Sequence, residues 1–242
     1  VYHSKFVDSD RSNLEELMIF IVSNFDIKEN KASIHFKKAK GKSFVLNINY
    51  ALFGRILYCL GAPKGNKTKQ RFLVPQWIIS SKEYSKMFLK ALLEDELTTI
   101  KIENRNYSIN PRLKMAKEER YINNLRMFLK QVKNMIENCG VNCSNISKEP
   151  KSKSNQMTKE LYFNIHRNKK NVIKFKNEIG FFLHKEKIKK LNECCNILEK
   201  TLRPIINKED VLKLRKKGLS IRRIAKELKI SSSTAHRMIK TQ

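Results

Sequence analysis

Residues 84 to 97, YSKMFLKALLEDEL, constrain the fold of this chain more than any other stretch. Tyr84, Met87, Phe88, Leu89, Ala91, Leu92 and Leu93 leave hardly any polar face, so a helix here is expected to be packed on nearly all sides. Ser80 and Glu83 have the spacing of a capping box that starts it. Three adjacent acids, Glu94, Asp95 and Glu96, then fall in its last turn. The carbonyl end of the helix macrodipole is already partly negative there, so each acid costs a few tenths to about 1 kcal/mol. This breach of a local rule has two readings. Either the acids are solvated beyond the helix end or paired with lysines, or they are grouped where a divalent cation takes oxygen ligands.

Charge narrows the partner. Among 242 residues, 51 Lys and Arg stand against 23 Asp and Glu, a formal net charge of +28. A thermophile-like surplus of lysine is normally balanced by glutamate, and that balance is missing. A polyanion is the expected partner, with nucleic acid the default; nothing points to a small-molecule substrate. No apolar run approaches the roughly 18 residues that cross a bilayer, and the N-terminus has no signal-peptide pattern. No membrane association is expected, and a cytoplasmic location is. Cys59, Cys139, Cys143, Cys194 and Cys195 are odd in number and have no histidine set near them. Isolated buried thiols are therefore expected, with neither a disulfide framework nor a zinc site.

Periodicity outlines an α+β protein. Val1 to Val7 reads as a strand, and Ser12 with Glu15 as a capping box for a helix to about Phe25, buried through Leu14, Leu17, Met18, Ile21 and Val22. Ile34 to Lys37 and Phe44 to Ile48 read as paired strands, with Phe44, Leu46 and Ile48 on one face. A helix from about Ala51 ends at Gly61-Ala62-Pro63, and residues 64 to 71, KGNKTKQR, form a basic loop. Beyond the acids, Thr98 to Ile102 and Tyr107 to Ile109 read as a hairpin and Glu118 to Asn138 as a long helix. Residues 145 to 159 read as a polar loop. Leu161 to His166 reads as a strand whose Phe163-Asn164-Ile165 resembles Leu46-Asn47-Ile48, a faint internal repeat. Lys185 to about Arg203 reads as a closing helix, and Pro204 as a boundary.

Residues 205 to 242 form a second expected unit. Val211, Leu212 and Leu214 pattern a first helix ended at Gly218. Ser220 caps a second with Ile221, Ile224, Ala225 and Leu228, and Ser231 caps a third from Ser232 to Lys240. Gly218-Leu219-Ser220, Ile224-Ala225, Leu228, Ile230-Ser231, Ser233-Thr234 and Arg237 resemble the helix-turn-helix unit of resolvase and Hin-type proteins, whose last helix enters the major groove. Residues 201 to 242 hold 12 basic and 3 acidic side chains, net +9. By that resemblance Ser232, Ser233, Thr234 and Arg237 contact base edges or phosphates, while Arg222 and Arg223, with Lys213, Arg215, Lys216 and Lys217, hold phosphates.

The stretch from Phe88 to Leu97, FLKALLEDEL, is similar to the dodecapeptide that names the LAGLIDADG homing endonucleases. Leu57 to Lys67 and Phe72 to Ile78 resemble the segment that archaeal and intein-borne members carry before their second motif. Phe175 to Phe181 and Lys187 to Leu191 resemble the end of that domain. Ala91 and Leu97 depart from the family's two glycines. The resemblance implies a pseudo-twofold α+β domain of two αββαββα halves over residues 1–204, the first about 1–79 and the second about 80–204. The first half begins within its first hairpin, so its central helix is expected upstream of Val1 or lost; a monomer is expected if it lies upstream.

By the same resemblance, Glu96 occupies the position of the catalytic, metal-binding acid, and Asp95 is a further candidate ligand for Mg²⁺. Lys67, Lys69 or Arg71 supplies either the basic group beside the reaction or a phosphate clamp. Sheet residues of the exposed parity, His35, Lys37, Asn47, Lys101, Tyr162, Asn164 and His166, are candidates for duplex contact. The implied activity is Mg²⁺-dependent hydrolysis of double-stranded DNA at a long site. Two alternatives remain: a DNA-binding regulator on a degenerate endonuclease scaffold, and an RNA-splicing maturase. The missing first acid and Leu97 favour the regulator, and Glu96 favours the enzyme.

Overall fold

The structure, a computed structural model, describes residues 4–39, 41–98, 111–148, 158–200, 208–228 and 230–240. The chain divides into two compact units, 1–196 and 197–242.

The first unit begins with β1 (Ser4–Asp8), α1 (Arg11–Asn24), β2 (Ala32–Ala39), β3 (Gly41–Ile48) and α2 (Ala51–Cys59). A short α3 (Gln76–Ile79) and α4 (Lys82–Glu96) follow. Then come β4 (Arg112–Glu118), α5 (Ile122–Asn138), β5 (Ser147–Lys148), β6 (Thr158–Asn164), α6 (Lys169–Glu178) and α7 (Lys185–Lys200). Among the described residues the strands form two antiparallel sheets of three, in the orders β1-β3-β2 and β4-β6-β5. Strand, helix, strand, strand and helix therefore occur twice, and both times the last strand inserts between the other two. Asn47 pairs with Lys5 on β1, and Asn164 pairs with Arg112 on β4. The short likeness between residues 46–48 and 163–165 thus marks equivalent places in a duplicated topology.

Side-chain alternation explains each sheet's buried face. On the first, Phe6, Ile34, Phe44, Leu46 and Ile48 pack with Leu14, Leu17, Met18 and Ile21 of α1 and with Phe53 of α2. On the second, the inward residues of β4 are Leu113, Met115 and Lys117, and those of β6 are Leu161 and Phe163. α5 buries Leu125, Phe128, Leu129, Val132, Met135 and Ile136, the stripe its helical spacing requires.

Several local expectations shift. Asp10, not Ser12, caps α1, accepting from the Ser12 N–H; Ser81, not Ser80, caps α4, accepting from the Tyr84 N–H. The central helix is not packed on nearly all sides. Ser85, Leu89 and Leu93 recur every fourth residue and are buried, whereas Tyr84 (52%) and Met87 (60%) meet solvent. β4 lies mostly between the hairpin expected to end at Ile109 and the helix expected from Glu118, where no element is expected. Its alternation places a lysine where a third apolar residue would have announced a strand, and α5 itself starts at Ile122. The hairpin read over 98–109 falls almost wholly outside the described residues. At its start, Thr98 N–H donates to Arg112 O (3.0 Å) and Leu97 bridges Leu113. The polar loop contains β5, paired to β6 through Ser147 and Tyr162; residues 149–157 lie outside the described part.

Gly61 ends α2 at φ +99°, a conformation that L side chains rarely adopt. A Cβ there would sit 2.5 Å from Pro75 Cγ, so this glycine also lets residues 62–75 return against the helix end. Of the cysteines, four are buried as expected and Cys59 is exposed. Burial pushes the Cys143 and Cys194 thiols up to about 12, the behaviour of inert core thiols.

The second unit contains α8 (Lys208–Lys216), α9 (Ile221–Glu227) and α10 (Ser232–Lys240) around Val211, Ile224, Ala225 and Ala235. Ser220 Oγ accepts from the Arg223 N–H at 3.4 Å, and Ser231 Oγ from the Thr234 N–H at 3.1 Å. Both serines cap as expected. Met238 and Ile239 join the core, while Ser232, Ser233, His236 and Arg237 are exposed.

Candidate functional site

The last turn of α4 gives its three acids three different surroundings. A helix turns about 100° per residue, so neighbours along it point in different directions. Glu94 points inward and is 7% exposed. Its Oε1 accepts from the backbone N–H groups of Phe182 (3.1 Å), Leu183 (2.8 Å) and His184, immediately before α7. These amides precede the first turn of a helix, where a carboxylate is favoured by both hydrogen bonding and the dipole. In return, Lys187, buried in the first turn of α7, donates from Nζ to the carbonyls of Glu94 and Leu97 (3.0 Å for the latter). The carboxylate of one helix satisfies the start of the other, and the ammonium of the second satisfies the end of the first. The acids therefore do not face an uncompensated helix end. Burial lowers the Lys187 pKa, and Asp95, Glu94, Asp8 and Glu96 work against that shift.

Asp95 faces outward. Desolvation by the surrounding chain and then the Glu96 carboxylate push its carboxyl above the ordinary 3.8. Glu96 is half-buried, and its Oε1 accepts from Lys67 Nζ, which is more exposed. Lys67 comes from the basic loop, where Asn66 Oδ1 accepts from the Thr68 N–H (2.9 Å) and hydroxyl (2.8 Å) to start a 3₁₀ turn at Lys67–Lys69. Lys69 lies 3.7 Å from Glu118.

Beneath this loop is a lysine that sequence reasoning passed over. Lys117 is 1% exposed. Its Nζ donates to Gln70 O (2.7 Å) and Asn124 Oδ1 (2.5 Å) and lies 3.8 Å from the centre of the Phe72 ring. Burial lowers its pKa from 10.5 to about 8. The folded pKa is depressed below the unfolded one, so the stability that Lys117 contributes is complete above 10.5 and declines as pH falls through 8. Lys117→Met is accordingly expected to lose less unfolding free energy relative to wild type at pH 7 than at pH 10. Urea titrations at the two pH values, followed by the fluorescence of Trp77, the single tryptophan, measure this.

The remaining candidates distribute as follows. Lys37 and Asn47 share the outer face of the first sheet with His35, whose Nδ1 is 3.1 Å from Asn47 Nδ2. Asn164 is on the outer face of the second sheet and accepts at Oδ1 from Arg112 Nε (3.2 Å); that guanidinium lies 4.2 Å from the Tyr162 ring centre. His166, just past β6, is exposed. Lys101 lies outside the described residues. In the second unit Arg222, Arg223, Ser232, Ser233 and Arg237 are exposed and Thr234 is half-buried. Ser231 Oγ is 2.9 Å from Ser233 Oγ and 2.7 Å from Thr234 Oγ1, so both hydroxyls belong to the cap of α10.

A hard divalent cation of the magnesium kind needs only one or two protein carboxylates when phosphate oxygens and water complete its shell. Glu96, half-buried at the tip of α4, and Asp95, exposed beside it, are the candidate carboxylates of that turn; burial first, and the Glu96 charge second, raise the Asp95 pKa. Among the described residues no group of three or more His, Cys, Asp or Glu side chains is arranged to hold a metal alone.

No family model matches the chain. Over 104 residues it is 35% identical to the DNA-directed RNA polymerase subunit Rpo1N of Methanocaldococcus jannaschii, a match that covers 42% of this chain. Two solved structures are similar in backbone. One comes from work on mesophilic variants of the homing endonuclease I-DmoI (15% identity, 79% of this chain and 83% of that chain, TM-score 0.48). The other is I-DmoI in complex with DNA and Ca (13% identity, 76% and 80%, TM-score 0.44). The chain spans 8% of the length of the curated relative it matches.

Proposed function

We propose that this chain is a homing endonuclease-like protein that binds double-stranded DNA and hydrolyses its phosphodiesters at the Glu96–Lys67 pair with Mg²⁺. The observation that carries the proposal is an acid at the tip of α4, held against a solvent-facing lysine, on a chain of net charge +28. Two sheets of the same topology support it, because their outer faces offer Lys37, Asn47, Arg112 and Asn164 to a polyanion. When bound, the metal ion supplies positive charge to the phosphate and a more acidic water. Glu96 and Asp95 would hold it, and the Lys67 ammonium, presented by the basic loop beside Glu96, would bind a phosphate oxygen.

The three-helix unit is a helix-turn-helix module. α10 enters the major groove and presents Ser232 and Arg237 to base edges, while Arg222 and Arg223 of α9 grip phosphates. This net +9 module adds affinity to the first unit.

Full-length protein incubated with a library of duplexes and Mg²⁺ is expected to yield cut products. Glu96→Gln, which removes the negative charge and keeps the shape, is expected to lower the cutting rate by about two to three orders of magnitude, the scale of losing one preorganised charge at the reacting centre, with duplex affinity preserved. Binding without metal-dependent cutting by wild type would instead establish the second reading, a DNA-binding regulator, which is favoured by Leu97 standing where the resembled dodecapeptide has glycine.

A further inference from the structure

We infer that Lys117 is the positioning residue for Lys67: buried beneath residues 70–74, it fixes the strap that carries the Lys67 ammonium to Glu96. The inference rests on reading the Lys67–Glu96 pair as the reacting one. Both partners of that pair reach solvent, Lys67 by 57% and Glu96 by 21% of their side chains. An exposed ion pair contributes at most about 1 kcal/mol, too little to hold two long side chains in one geometry. The backbone that delivers Lys67 must therefore be fixed from elsewhere.

Three groups of the second sheet and α5 do so. Lys117 Nζ donates to the carbonyl of Gln70, three residues past Lys67. Asn124 Oδ1 accepts from Lys117 and from the Phe72 N–H (3.1 Å), coupling the lysine to the strap a second time. Gln131 Oε1 accepts from the Val74 N–H (3.0 Å). The Phe72 ring, between the Lys117 ammonium at 3.8 Å and the Phe128 ring at 5.0 Å, closes the strap over the lysine. Between this anchor and Lys67 lies only the 3₁₀ turn capped by Asn66, so displacement at Gln70 is transmitted to Lys67. A lysine is otherwise a poor choice for the inward parity of β4, since burial of its charge is costly. A long cationic side chain with several donors is what reaches the Gln70 carbonyl and Asn124 together.

Zero-length carbodiimide coupling of the folded full-length protein, followed by digestion and mass spectrometry, reads the Lys67–Glu96 proximity without any need for activity. The Lys86–Glu178 pair, at 2.7 Å and remote in sequence from the strap, is the internal standard. Lys117→Met and Asn124→Ala are each expected to lower the Lys67–Glu96 product by about fivefold against that standard, the population change that loss of one net hydrogen bond produces. If wild type cuts DNA, the same variants lower kcat and leave KM unchanged. Wild-type cross-linking in the folded variants would overturn the inference; should Lys117→Met not fold, Asn124→Ala decides alone. Absence of cutting by wild type would remove the functional reading and leave the cross-linking result to stand or fall by itself.

Discussion

Glu94→Ala is expected to lower the unfolding free energy of the first unit by about 3 to 5 kcal/mol, the scale of leaving several buried donors unsatisfied at about 1 to 3 kcal/mol each. Glu94 accepts three backbone N–H groups at the start of α7, and removing it leaves all three unsatisfied in a place water does not reach easily. It also removes one of the four carboxylate charges, Asp95, Glu94, Asp8 and Glu96, that oppose the effect of burial on the Lys187 ammonium. Glu94→Gln keeps a carbonyl oxygen for the amides and is expected to cost less, about 1 to 3 kcal/mol. Asp95→Ala, one residue away and facing outward, is expected within about 0.5 kcal/mol of wild type. Urea unfolding followed by Trp77 isolates the first unit, because the second has no tryptophan. Equal midpoints for the Glu94 and Asp95 variants would refute the clasp between α4 and α7.

The affinity for duplex DNA is expected to collapse with salt. A chain carrying +28 that engages about 6 to 10 phosphates loses about three to five orders of magnitude in affinity between 50 and 200 mM monovalent salt. This effect belongs to counterion release, so it appears whether or not the protein cuts. Arg222→Ala and Arg223→Ala are each expected to reduce the slope of log K against log salt by about 1 while weakening all sequences alike. Arg237→Ala is expected to cost about 1 to 3 kcal/mol and to relax preference at one base pair. Fluorescence anisotropy across a salt series measures all three. A flat salt dependence would remove nucleic acid as the partner, and equal affinity for a single-stranded RNA of the same length would shift the substrate class.

The linear sequence determined what depends on near neighbours. Alternation at every second residue marks β3 and β6, recurrence at every third and fourth marks α1, α5 and the helices of the second unit, and Gly61, Gly140 and Gly218 close helices through positive φ. The likeness of residues 46–48 to 163–165 was legible for the same reason, since equal positions in equal sheets meet equal demands. The strand β4 was not, because its inward set of Leu113, Met115 and Lys117 breaks the apolar alternation on which such reading relies. The lysine is tolerated there only because Gln70 and Asn124, 47 and 7 residues away, supply its acceptors.

Tertiary structure alone decided what the three acids do. Glu94, Asp95 and Glu96 are alike in charge and adjacent in sequence, and their roles follow from the direction each takes around the helix. One direction meets the amides before α7, 88 to 90 residues on; one meets solvent; and one meets Lys67, 29 residues back. Hydrogen bonds and ion pairs act over a few ångströms of space, whereas sequence patterns report separations along the chain. Where a group's partner is distant in sequence, only the folded chain brings the two within range.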